Sequence, residues 1–142
     1  MFWTNKTANH AVPHAAHEAL SGAFNDHELR VLSGLATLVD VPAGTSLTSQ
    51  GTAGRQAVVV VSGTASVLRD NNVIATVGAG DLIGEMSLLT GEPRNATVVA
   101  DTELSVYALS PREFSSLLSQ CPRLAQSITA TAVKRLSEVA TA

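Results

Sequence analysis

Apolar positions along this chain change their spacing twice. Between Asn25 and Gly34 they recur at helical intervals, with Leu29, Leu32 and Leu35 on one face. Asn25 is a capping residue type, and Glu28 three positions on can reach back to it, so the spacing predicts a helix starting there. A short helical piece over His14 to Leu20 is expected before it. From Thr37 onward the pattern shortens to runs of five or six residues separated by turn residues. Strands are predicted over Thr37–Val41, Thr45–Ser49, Ala57–Val61, Thr64–Leu68 and Val73–Val77. Pro42-Ala43-Gly44, the turn at Gly51 to Gly54, Ser62-Gly63 and Arg69-Asp70-Asn71-Asn72 divide them. The last of these suits a tight hairpin, because Asp and Asn tolerate left-handed backbone angles.

After Gly78-Ala79-Gly80-Asp81 the strand pattern stops. It resumes at Asn95–Ala100 and Glu103–Leu109, split by Asp101-Thr102. Helical spacing then returns. Ser110 caps, Pro111 suits the first helical position and Glu113 completes a capping box. Phe114, Leu117 and Leu118 supply an apolar face. Cys121-Pro122 kinks or restarts the helix, and Leu124, Ile128, Ala132 and Leu136 continue it to Val139. Short strands at this spacing, with turn signals between them, imply a β-sandwich or small barrel. The expected organisation is a loose leader over residues 1–12 and one domain over 13–142, with the barrel over about 37–109 and C-terminal helices over about 111–140.

Composition narrows the function classes. The chain has 142 residues, 45% of them apolar and 15% charged, which suits one folded domain and not a disordered one. Its net charge is −3 and its nine Lys and Arg residues are scattered, which argues against a nucleic-acid or anionic-membrane surface. No apolar run reaches the length of a membrane span, and the N-terminus lacks a signal-peptide core. The single cysteine, Cys121, excludes an intrachain disulfide and fits a cytoplasmic location.

The interrupted segment carries the candidate chemistry. Glu85 to Leu89 is too short for anything beyond one or two helical turns, and Gly91 can end them. Gly84 precedes this start, where unpaired N–H groups and a partial positive charge face outward and a ligand can approach the backbone. Arg94 opens the next strand, which is otherwise Ala, Thr and Val. An arginine there, facing a helix start, would hold an anion. Glu85 would repel an anion but accept from hydroxyls, so a ligand with both a phosphate and a sugar hydroxyl satisfies the two residues together. The competing reading is a dipole-favoured Glu85 and a solvated Arg94, or the two paired with each other.

Gly84-Glu85-Met86-Ser87-Leu88-Leu89, followed by Pro93-Arg94-Asn95-Ala96-Thr97-Val98, closely resembles the phosphate-binding cassette of cyclic-nucleotide-binding domains. Val41-Pro42-Ala43-Gly44-Thr45, Val60-Val61-Ser62-Gly63 and Gly80-Asp81 also look like that family's turns. The resemblance implies a mainly β fold, a small jelly-roll-like β-barrel with flanking N-terminal and C-terminal helices. It implies a sensor that binds cAMP, with cGMP the other candidate, and that uses no cofactor and performs no reaction. Glu85 would accept the ribose 2′-hydroxyl and Arg94 would pair with the cyclic phosphate. Backbone amides near Met86, Ser87 and Ala96 would complete the cradle, and Gly84 would give close access. Ile74 and Val77 would lie on the base side. Asn95 stands where members preferring cGMP often carry Thr, so it does not settle base choice. Leu136 or Val139 would cover the base, or it would stay open. Ligand would draw the C-terminal helix toward the barrel, with Pro122 as hinge.

Two other classes compete. A cupin-type metalloenzyme needs histidines on its strands, yet His10, His14, His17 and His27 all precede the barrel. A degenerate domain serving as a protein-interaction module would have no need of both Glu85 and Arg94. An effector protein is implied but not identified. Self-association through the C-terminal helix stays open, since its apolar stripe is short and lacks a clean heptad.

Overall fold

The computed structural model describes residues 18–51, 55–85, 93–94 and 96–127, together with the backbone of Asn5–Thr7. Strands β1 (Asn5–Thr7), β2 (Thr37–Val41), β9 (Leu104–Leu109), β4 (Ala57–Ser62) and β7 (Leu82–Ile83) form one antiparallel sheet in the spatial order β1-β2-β9-β4-β7. A second sheet takes the order β3-β8-β5-β6, from Ser46–Thr48, Thr97–Ala100, Ala65–Arg69 and Asn72–Val77. Helix α1 (Asp26–Leu35) and helix α2 (Pro111–Gln120) flank strands β2 to β9 in sequence, and residues 122–127 are again helical. Among the described residues the two ladders do not join, so the expected barrel takes the form of two sheets packed face to face. Within the expected leader, Asn5–Thr7 pair with β2 in the register Lys6↔Val39.

Residue alternation along β4 explains this layering. Val58 and Val60 face the second sheet, where they pack with Val39, Val106, Leu47, Ala65 and Val98. Ala57, Val59 and Val61 face the helices and pack with Leu29, Leu32, Tyr107, Phe114 and Leu117. A strand covered on both faces has no polar side, which is why β4 reads as an unbroken valine run. At about 25 cal/mol per Å² of apolar surface, this two-sided burial is the main source of stability.

Both expected helix starts have the predicted chemistry. The Glu28 amide donates to Asn25 Oδ1 at 2.8 Å, and the Asn25 amide donates to Glu28 Oε1 at 2.9 Å. At α2 the Glu113 amide donates to Ser110 Oγ at 3.1 Å and the Ser110 amide to Glu113 Oε1 at 2.8 Å, with Pro111 in the first turn. Asp70 and Asn71 take the left-handed angles expected of the β5–β6 hairpin, with φ of 53° and 65°. Strand β6 is one of the two outer strands of its sheet, and its ladder with β5 shifts register between Val67 and Leu68.

Candidate phosphate-binding site

Strand β7 brings Gly84 to the start of β4. The 78–81 turn sets this up: the Gly78 amide donates to Asp81 Oδ2 at 2.8 Å, and the Gly80 amide donates to the Val60 carbonyl at 2.8 Å. β7 then pairs Ile83 with Val58 and Leu82 with Val59. At Gly84 the backbone turns with φ of 85°, a region L side chains rarely adopt, and Glu85 begins a helical turn.

Arg94 arrives from the other end of the interrupted segment and is anchored three ways. Its carbonyl accepts from the Gly51 amide at 2.8 Å. Its Nη1 donates to the Gly84 carbonyl at 2.7 Å, and its Nη2 donates to the Gln56 carbonyl at 2.6 Å. These bonds to side-chain nitrogens use two of the five N–H donors of the guanidinium. Next to it, Ala96 is buried, and its carbonyl accepts from Thr48 Oγ1 at 3.0 Å.

Arg94 is therefore not a solvated surface arginine. It is 8% exposed, and Glu85 is 4% exposed. Burial lowers the Arg94 pKa from its ordinary value by disfavouring the charge, and the neighbouring Glu85 carboxylate acts the other way. A buried guanidinium stays charged and needs acceptors. Two backbone carbonyls supply them here, and the nearby Glu85 carboxylate favours the charge.

Of the residues expected at the site, Gly84, Glu85 and Arg94 are brought together, with Ala96 two residues further on. Val77 is partly buried against the inter-sheet core, whereas Ile74 is 51% exposed on β6, beside the register shift. Met86, Ser87 and Asn95 lie outside the described residues, as do Leu136 and Val139. Gln56 was not anticipated from sequence. It contributes a main-chain oxygen, which no side-chain pattern can signal.

A cavity of about 350 Å³ adjoins Glu85, walled by Phe24, Val59, Val77, Leu82, Leu117 and Leu124. Val59, Leu82 and Leu117 belong to the helix-facing core, so this space lies between the helices and the first sheet. Among the described residues, no cluster of His, Cys, Asp or Glu could hold a metal ion, and no helix is long and apolar enough to cross a membrane.

Residues 38–121 match the family model described as the cyclic nucleotide-binding domain. A cyclic nucleotide-gated potassium channel of Rhizobium etli is 39% identical over 95 residues, covering 67% of this chain and 26% of the channel. A cAMP-dependent protein kinase regulatory subunit of Yarrowia lipolytica is 38% identical over 97 residues, again covering 67% of this chain and 26% of the relative. The chain thus spans about a quarter of the length of these relatives. Among solved structures, the catabolite activator protein of Thermus thermophilus superposes with a TM-score of 0.74 at 26% identity, covering 87% of this chain and 60% of that one. With the family match extending over most of both sheets and the Gly84–Arg94 pair inside it, this chain belongs to the cyclic nucleotide-binding domain family.

Proposed function

We propose that this domain is a regulatory sensor that binds a cyclic nucleotide, cAMP in preference to cGMP, and performs no reaction on it. The observation that carries the proposal is the buried Arg94 guanidinium, held against Gly84 with the Glu85 carboxylate beside it. A desolvated cation that is already oriented loses little on engaging a phosphate, and a charge-assisted bond in such a place is strong. The cyclic phosphate would lie over the Gly84–Glu85 turn, with amides near Met86, Ser87 and Ala96 as further donors. The ribose 2′-hydroxyl would donate to Glu85. Val77 and Ile74 would stand on the base side. Binding would shift the C-terminal helix relative to the sheets, and an effector protein would respond to that shift.

Calorimetric titration of the purified chain with cAMP and cGMP, compared with Arg94→Ala, tests this. The variant should lose about tenfold to a hundredfold in affinity, matching a charged hydrogen bond of about 1.5–3 kcal/mol. Because Arg94 also bridges Gly84 and Gln56, the melting temperature of the variant is measured alongside to confirm that it is folded. Absence of binding by the folded wild type, with an unchanged melting temperature in either nucleotide, would sink the proposal and favour a degenerate protein-interaction module.

A further inference from the structure

Among the described residues, four strands take the outer positions of the two sheets, and three of them are short. β1 and β3 have three residues each and β7 has two, whereas β6 has six. An outer strand presents a row of unpaired N–H and C=O groups, and keeping it short is one way a fold avoids pairing with other chains. β6 lacks other common safeguards as well. Asn71 to Gly80 contains no proline and no charged residue. Residues 72–76 are exposed. Val73 and Ile74, 63% and 51% exposed, are the large apolar side chains left exposed among the described residues. The ladder with β5 pairs Val73 with Leu68 and Ala75 with Val67, passing over Ile74.

Charge decides what fits this edge. Arg69 and Asp70 stand at the hairpin end of β6. The Asp70 carboxylate accepts from Gln50 Nε2 at 2.9 Å, which draws it toward the β3–β4 connection. At the other end, the Asp81 carboxylate accepts from the Gly78 amide at 2.8 Å, so it lies at the foot of the strand. Antiparallel pairing of β6 with a second β6 brings Arg69 toward the partner's Asp81 at both ends. Along the strand it sets uncharged residues opposite uncharged ones. It also gathers Val73 and Ile74 of both copies near the two-fold axis, where apolar contacts contribute most. We infer that β6 is a self-association edge, through which two copies of this chain pair antiparallel about a two-fold axis and join their second sheets into one. The pairing needs no nucleotide and does not rest on the functional reading above. A six-residue ladder is small beside the about 800 Å² per partner of a tight interface, so the dimer is weak and its population follows concentration.

Sedimentation velocity of the full chain without nucleotide, from about 10 μM to about 1 mM, tests this, with amide hydrogen exchange measured at both ends of the range. The wild type should pass from monomer toward dimer as concentration rises. Exchange over residues 72–77 should slow with it, while β4 and β9 are unchanged. Val73→Lys sets a charge from each copy into the interface and should weaken association at least about tenfold. Val73→Thr keeps a strand-forming residue and should weaken it less. Melting temperatures at low concentration show whether each variant is folded. Should Val73→Lys fail to fold, Val73→Thr carries the comparison, and association equal to wild type then overturns the inference. A wild type that stays monomeric throughout overturns it as well and leaves the edge to a different partner. So does a dimer that folded Val73→Lys leaves intact, or one that forms with exchange over 72–77 unchanged, since either result puts the contact elsewhere, the C-terminal helix included.

Discussion

The guanidinium of Arg94 occupies the space that a side chain on Gly84 would need. A Cβ built on Gly84 would collide with Arg94 Nη1 and lie 2.8 Å from the Gln56 carbonyl oxygen. The glycine is therefore required twice, for its φ of 85° and for the arginine lying against it. Gly84→Ala should destabilise the domain by at least about 2 kcal/mol, from backbone strain and displacement of Arg94 together. Thermal or urea melts measure the first effect. A loss of cyclic-nucleotide affinity beyond that explained by unfolding measures the second.

Glu85 is expected to read the ribose. Glu85→Gln should weaken cAMP by about tenfold, the value of a hydrogen bond to a charged acceptor. Against 2′-deoxy-cAMP the wild type should already be weaker, and the substitution should then cost little more. Equal losses for both nucleotides would remove the 2′-hydroxyl from the assignment.

Tyr107 is the one tyrosine of the chain, and its hydroxyl is buried without a hydrogen-bond partner among the described residues. Burial raises its pKa above the ordinary value of 10.0. Absorbance titration should show less than half of the tyrosine ionised at pH 10.0 while the fold persists, and half-ionisation at pH 10.0 or below would contradict the burial. Tyr107→Phe removes a desolvated hydroxyl at little loss of volume. It should leave stability within about 1 kcal/mol of wild type, on the stabilising side.

Glu28 links stability to acid. Burial alone would raise its carboxyl pKa, but the Asn25 amide and Arg123 outweigh burial and hold it below the ordinary 4.5. A carboxyl depressed in the folded state contributes stability that is present above its unfolded pKa and lost as pH falls through the folded value. Melting temperatures of wild type and Glu28→Gln should therefore differ most near neutral pH and converge as pH falls below 4.5 through the lowered folded value. A gap that stays constant between pH 7 and pH 3 would contradict this.

Much of the fold was legible because it rests on local physics. The capping boxes at Asn25 and Ser110 involve partners three residues apart, and the β5–β6 hairpin depends on Asp70 and Asn71 tolerating left-handed angles. The valine run of β4 was legible as a strand, while its burial on both faces emerged only with its neighbours in place. The order Gly84, Glu85, Arg94 likewise pointed to a phosphate and a hydroxyl, because charge and backbone freedom are properties of residue types.

Tertiary structure alone decided what those residues rest on. Sequence suggested that Arg94 could be solvated. Folding instead buries it against carbonyls of Gly84 and Gln56, 10 and 38 positions away. Every residue has a carbonyl, so no residue type marks the ones that end up as acceptors. The same holds for Glu28 and Arg123, ordinary helix-surface charges until packing of α1 beside α2 brings them to 3.1 Å across 95 residues. Local chemistry is written in side-chain identity. Long-range contacts depend on which surfaces the sheets and helices bring together, and that is settled only when the core closes.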